Sequence, residues 1–182
     1  MKYCSTCGQP VEQRIPEGDN RHRYVCVRCE TIHYQNPRIV AGTVPVWEGQ
    51  ILLCKRAIEP RYGYWTLPAG FMENAETTME AAARETREEA LADVTIHGLY
   101  SIIDVPHINQ VHMFYRATLT DGQFGAGQES LESKLFTPDD IPWDEISFPT
   151  VRKTLELFLN DMKSDSYGVH IKDIRHPMAK KS

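Results

Sequence analysis

No stretch of this 182-residue chain approaches the ~20 consecutive apolar residues that a bilayer-crossing helix requires. The amino terminus also lacks the charged-then-apolar pattern of a secretory signal, so a reducing cytoplasm is the expected compartment and no membrane partner is expected. Positive charge is scarce: 20 Lys and Arg against 25 Asp and Glu leave a formal charge of -5. A polyanion held by general electrostatics is disfavoured by that balance, and any phosphate must be gripped by local clamps. Internal repeats and low-complexity stretches are absent. The length suits one domain of about 140 residues plus a small appended module.

Cysteine is sparse too, at five residues, but four of them are ordered. Cys4-x2-Cys7 and Cys26-x2-Cys29 form two knuckles separated by eighteen residues, a spacing that suits a tetrahedral Cys4 zinc site. Four thiolates leave no open coordination position, so the zinc is expected to be structural, stabilising a segment too short to bury much core. Two disulfides are disfavoured without a secretory signal, and a redox pair without a strand–helix unit around either knuckle. Arg14, Arg21, Arg23, Arg28 and Arg38 make this segment slightly basic. Glu12, Glu17, Asp19 and Glu30 interrupt them, however, and nucleic acid is not the expected partner. Cys54, inside Ile51-Leu52-Leu53-Cys54, reads as a small buried hydrophobe.

The densest chemistry lies between Gly70 and Ala92, GFMENAETTMEAAARETREEALA. Thr77 followed by Glu80 fits a capping box, which starts a helix after a loop containing Gly70 and Asn74. On that helix Glu85, Glu88 and Glu89 stand at i, i+3 and i+4, where like charges repel. Met79, Ala82, Ala83 and Ala90 fall on another stripe, so the expectation is a docked helix with its acidic side facing outward. A solvated charge run is the bland reading of such a face. Oxygen ligands at this spacing favour Mg2+ or Mn2+, cations that bridge carboxylates to phosphates.

These residues resemble the Nudix hydrolase signature G-x5-E-x7-R-E-U-x-E-E-x-G-U, U being a bulky aliphatic residue. Gly70, Glu76, Arg84, Glu85, Glu88 and Glu89 match, whereas Thr86, Leu91 and Ala92 depart from it. A leucine in place of the last glycine implies a different exit from the helix. The resemblance implies an α/β fold, a Nudix α/β/α sandwich with a mixed sheet, here preceded by a small β zinc ribbon. It also implies metal-assisted attack of water on a diphosphate. Glu85 and Glu89 become direct metal ligands and Glu88 a further ligand or base. The carbonyl of Ala69 is another ligand, Arg84 orients the glutamates, and Glu76 either pairs with Arg84 or touches metal.

Outside the signature, β-rich runs cover residues 38–47 and 50–56, joined as a hairpin at Glu48-Gly49, with further strands at 94–104, 111–119 and 131–136. Helical spacing of Val151, Leu155, Phe158, Leu159 and Met162 predicts a second helix over 150–162. The domain boundaries expected are 1–36 for the ribbon, 37–165 for the hydrolase domain and 166–182 for a loosely held tail that includes Lys172, Arg175, Lys180 and Lys181.

Arg56, Glu59 and Arg61, with Tyr62, Tyr64 and Trp65 close by in sequence, are candidates for clamping phosphate and stacking a ring, although Trp65 reads better as core. Glu132 is the candidate for an extra glutamate of the kind Nudix enzymes supply, and Glu129 competes with it. His107 and His112 are weaker candidates for substrate contact.

Gln35-Asn36-Pro37-Arg38, Arg56-Ala57-Ile58-Glu59-Pro60 and Trp65-Thr66-Leu67-Pro68-Ala69-Gly70-Phe71 narrow the resemblance to the branch containing plant FAD pyrophosphatases. That branch implies FAD or ADP-ribose as substrate, split to AMP plus FMN or ribose 5-phosphate, and a homodimer by analogy. The alternatives are an NADH pyrophosphatase, whose S-Q-P-W-P-F-P-x-S signature is absent, a nucleoside triphosphate hydrolase, and a non-catalytic nucleotide-sensing module.

Overall fold

Residues 1–175 are described by a computed structural model of the chain. It divides into two units, Met1–Pro37 and Arg38–Ser182. In the first, β1 (Val11–Arg14), β2 (Arg23–Cys26) and β3 (Ile32–His33) form an antiparallel sheet in the order β1-β2-β3. Its interior is little more than Cys4, Val25 and Cys26, too small a core to hold a fold without a staple.

The second unit begins with β4 (Arg38–Trp47), which turns tightly into β5 (Gln50–Arg56). Glu48 and Gly49 have φ of 48° and 78°. Two positive-φ residues make a turn whose twist matches the flanking strands, so Val46 pairs with Ile51 and Trp47 with Gln50. Beyond that hairpin the strands part. β6 (Trp65–Thr66) pairs with β5, and β7 (Ala69–Phe71) pairs with β4. The segment 65–71 therefore fills a split between two strands that began as neighbours.

Helix α1 (Thr78–Ala90) follows, then β8 (Val94–Val105), β9 (Gln110–Leu119), β10 (Ser130–Phe136), helix α2 (Pro149–Met162) and β11 (His170–Asp173). The strand order is β10-β5-β4-β9-β8-β11, with β4–β9 and β8–β11 parallel and the other neighbours antiparallel. The sheet is mixed and carries a helix on each face, as the fold expectation holds. Alternation along β4 sorts the faces. Ala41 joins Ala81, Ala82 and Tyr115 in the α1 layer, whereas Val44 joins Phe114, Tyr100, Leu155 and Phe158 in the α2 layer. Trp65 is buried in that second layer, edge-on to Phe136 at 4.8 Å between centroids.

Three expectations need correction. The segment after residue 165 is not a loose tail throughout, because His170–Asp173 pairs in parallel with Ser101–Asp104. His170 Nε2 also lies 2.7 Å from Asp161 Oδ2, which receives the Tyr100 hydroxyl at 3.0 Å as well. Lys180 and Lys181 lie outside the described residues.

The exposed side of α1 is also different from the pattern expected. Met79 is 46% exposed, while Glu85 and Glu89 are buried with Ala81, Ala82, Thr86 and Ala90. At ~100° per residue those six span about half of the helix circumference, and Met79 falls within the same half but in the first turn, where it is exposed.

Finally, Leu91 keeps the exit that a glycine would give, with φ 47° and ψ 35° in the left-handed region. The helix end is held from outside as well. Gly125 N–H donates to Ala90 O at 2.7 Å and Gly127 N–H to Glu89 O at 3.0 Å.

Candidate active site

Helix α1 begins where the sequence predicts, with Thr77 Oγ1 accepting from Glu80 N–H at 3.2 Å and Glu80 Oε2 accepting from Thr77 N–H at 2.7 Å. That start fixes the phase of the helix over β4 and β7. Thr86 stands where the signature has an aliphatic residue, fully buried, bonded to Thr43 Oγ1 at 2.6 Å and donating to Ala82 O at 2.7 Å. Its hydroxyl is satisfied twice, so the departure from an aliphatic leaves no orphaned polar group.

Gly70 lies directly beneath Glu85. A β-carbon built on Gly70 would sit 2.3 Å from Glu85 Oε2, so a glycine is what admits the carboxylate. Glu89 Oε2 accepts from the Ala69 N–H at 3.1 Å. Two carboxylates thus converge on the backbone of residues 69–70, in the split between β4 and β5. Burial raises the Glu85 carboxyl above its ordinary range, against the pull of Arg84. Burial pushes Glu89 up to about 8; the Ala69 N–H opposes this, the charge of Glu85 adds to it, and Arg56 lies near enough to lower it.

Arg84 joins the acidic residues into one network. Its Nε and Nη2 donate to the two oxygens of Glu76 at 3.0 and 2.8 Å, and Nη1 donates to Glu85 at 2.7 Å and Glu88 at 3.1 Å. Nη2 also donates to Phe71 O at 3.2 Å. The guanidinium bond holds Glu76 down at about 2, helped by the Glu73 N–H. Glu88 differs from the buried pair, with 59% of its side chain exposed. Glu85, Glu88 and Glu89 therefore occupy two settings: Glu85 and Glu89 inside, Glu88 at the solvent edge.

The charges of both Glu85 and Glu89 interact with Glu129, in the loop before β10. Glu129 O accepts from Ala57 N–H at 2.8 Å, and Gly127 is tied to the end of α1, so this loop is pinned on both sides. Glu132 stands on β10, exposed and opposite Lys55. The sequence reading overlooked the Gly125-Ala126-Gly127 clamp, for which the paired glycines just before Glu129 were the available signal. A β-carbon on Gly127 would meet Glu88 O at 1.7 Å.

Arg56 Nε donates to Pro60 O at 2.9 Å, and its guanidinium lies over the Phe148 ring at 5.1 Å. Arg61 is exposed and lies over Tyr64 at 5.2 Å, and Glu59 is exposed in the same loop. His112 is displaced from this chemistry. It sits on β9 beside Gln110 Oε1 at 2.9 Å, with burial driving its pKa down to about 4.

In the first unit the sulfurs of Cys4, Cys7, Cys26 and Cys29 all lie within 4.8 Å of one another. Cys7 Sγ is 3.4 Å from Cys26 Sγ and 3.5 Å from Cys29 Sγ. A tetrahedral zinc with Zn–S bonds of ~2.3 Å sets sulfurs roughly 3.8 Å apart, so the cluster fits that ion. Backbone N–H groups of Thr6 and Arg28 point at Cys4 and Cys26, each at 3.4 Å. His33 Nε2, which sequence spacing did not single out, lies 3.3 Å from Cys4 Sγ.

Comparison with known proteins agrees with this geometry. Residues 2–35 match the zinc-ribbon family described as Nudix N-terminal, and residues 36–158 match the NUDIX domain. The crystal structure of a NUDIX hydrolase from Nitrosomonas europaea superimposes with a TM-score of 0.94 at 50% identity, covering 97% of this chain and 100% of that one. The NAD-capped RNA hydrolase NudC of Vibrio vulnificus is 30% identical over 168 residues, 91% of this chain. The ADP-ribose pyrophosphatase of Methanocaldococcus jannaschii is 30% identical over 113 residues, 60% of this chain and 67% of its own length. The chain spans 62% of the length of the Vibrio relative. With its signature helix, split sheet and four-cysteine module, this chain belongs to the Nudix family, as a NUDIX domain joined to a Nudix N-terminal zinc ribbon.

Proposed function

We propose that the NUDIX domain hydrolyses the diphosphate bond of a nucleoside diphosphate derivative, ADP-ribose or FAD, to AMP plus ribose 5-phosphate or FMN. The observation that carries this reading is the buried pair Glu85 and Glu89 against the Ala69–Gly70 backbone, with Glu89 raised to about 8. Two buried carboxylates side by side are costly unless a cation shares them. Glu85, Glu89, Glu88 and the Ala69 carbonyl would hold Mg2+ or Mn2+. Such an ion, when bound, lowers the pKa of water and neutralises charge on phosphoryl oxygens.

The chain's own groups supply the rest. Arg84 fixes the rotamers of Glu85 and Glu88 while Glu76 anchors Arg84 from behind. Glu129 adds a third carboxylate facing the buried pair and is the better placed of the two extra glutamates to accept a proton from the attacking water. Glu132 remains a substrate-side candidate on β10. Arg56 brings positive charge near Glu89, suited to a diphosphate oxygen, and Arg61 and Glu59 follow it in the next loop. The four cysteines hold a structural zinc.

A second reading is a substrate with a nicotinamide diphosphate end, free or capping an RNA, favoured by the name of the Vibrio relative. A nucleoside triphosphatase or a non-catalytic sensor is less well supported, since a sensor has no need of the complete carboxylate set. The assembly proposed is a homodimer. Titration with Mn2+ followed by electron paramagnetic resonance tests the metal site: the wild type should bind the ion and Glu89→Gln should bind it far more weakly. Equal binding by the two proteins would remove Glu89 from the ligand set.

A further inference from the structure

On the face of the sheet away from Glu85 and Glu89 lies a cavity of about 270 Å³. Strand alternation places it there: Thr43 of β4 meets Thr86 on α1, whereas Val46 and, on β9, Phe114 and Arg116 turn toward α2. Its apolar floor is Val46, Phe158 and Met162. Its polar wall is His97, Arg116, Thr118, Asp165 and Tyr167.

Three details give this cavity a chemistry. Arg116 forms no ion pair among the described residues; its guanidinium lies over the Tyr167 ring, 4.3 Å from the centroid, leaving N–H donors at its edge. His97 is the extra residue of a β-bulge, since Ile96 pairs with Ala117 and Gly98 with Arg116, and its Nε2 lies 2.7 Å from Thr118 Oγ1. Bulges re-aim side chains in this way. Asp165, whose charge acts on the same Tyr167 that Arg116 covers, adds a carboxylate acceptor to the lining.

A simple anion is attracted by Arg116 and repelled by Asp165. A ligand that carries a phosphate together with hydroxyl or amino donors satisfies both groups, while its ring covers the apolar floor. The volume lies just below the ~300–1,000 Å³ range of small-molecule pockets, which suits a mononucleotide and not a dinucleotide. We propose that this cavity is a second, non-catalytic binding site for a mononucleotide, its phosphate held by Arg116 with His97 and its ribose hydroxyls or base amino group by Asp165.

The test is calorimetric titration of AMP into the full zinc-loaded chain without added Mg2+, using wild type, Arg116→Gln and Arg56→Gln. Two binding events are expected in the wild type: Arg116→Gln should weaken one at least tenfold and leave the other, and Arg56→Gln should leave the Arg116-dependent one in place, at which inorganic phosphate should bind at least tenfold more weakly than AMP. Tyr167→Leu, which removes the stacking platform from outside the sheet, should reproduce the Arg116→Gln result if that variant misfolds. Wild-type affinity in the Arg116 and Tyr167 variants, or loss confined to Arg56→Gln, would overturn the proposal. Phosphate binding as tightly as AMP would overturn the assignment of a nucleotide.

Discussion

The carboxylate of Glu85 occupies the space that a side chain on Gly70 would need, with Oε2 2.3 Å from where a β-carbon would stand. A strand residue and a helix residue fifteen positions apart are thereby locked to one geometry. Gly70→Ala should displace the carboxylate by about 1 Å and lower kcat by roughly a hundredfold, since misplacement on that scale costs about that much. Circular dichroism should show the fold retained. Full activity in the alanine variant would mean that Glu85 does not work from this position.

Leu91 supplies a stability test at the other end of the helix. Its left-handed φ of 47° costs a leucine on the order of 1 kcal/mol, and its side chain is 58% exposed, so little packing offsets that cost. Leu91→Gly should stabilise the protein by about 0.5–1 kcal/mol in urea unfolding, with activity retained. A loss of stability would show that the packing of the Leu91 side chain outweighs the backbone strain.

His112 predicts a pH dependence unrelated to the carboxylates. Burial lowers its pKa from 6.5 to about 4, so between those values the unfolded state binds the extra proton. The stabilising contribution is complete above about pH 6.5 and is lost progressively as pH falls toward 4, by up to roughly 3 kcal/mol. The slope of unfolding free energy against pH in that window should shrink in His112→Gln. An unchanged slope would assign it to other groups.

The ribbon should depend on its ion. With so few buried apolar residues, Met1–Pro37 has little besides the four cysteines to hold it, so chelation should lower its melting temperature by more than 10 °C and broaden the amide spectrum of that unit. Unchanged melting after verified zinc removal would deny the metal a structural role.

Local chemistry was legible in the sequence, and long-range pairing was not. Thr77 with Glu80 and Glu48 with Gly49 each specify their turn or cap through neighbours within three residues, and both form as read. The pairing of Arg84 with Glu76 was likewise readable, because buried charge calls for a partner. The inward orientation of Glu85 and Glu89 was not readable from helical spacing. It arises because β4 and β5 separate and admit the Ala69–Gly70 backbone beneath the helix, a tertiary event with no local signature. Strand β11 was missed for a similar reason: four residues with Ile171 67% exposed carry no alternation strong enough to announce an edge strand. The Gly125–Gly127 clamp depends on carbonyls more than thirty residues earlier, Glu89 and Ala90.

The central claim is that Glu85 and Glu89 hold the metal that cleaves a nucleoside diphosphate. The most direct measurement is chromatographic product analysis of ADP-ribose, FAD, NADH and nucleoside triphosphates incubated with Mg2+ and either wild type or Glu89→Gln. The account predicts AMP together with ribose 5-phosphate or FMN from the wild type, at least a thousandfold less from Glu89→Gln, and equal melting temperatures without metal. Turnover by Glu89→Gln near the wild-type rate, or no turnover of any compound by the folded, zinc-loaded wild type, would contradict it.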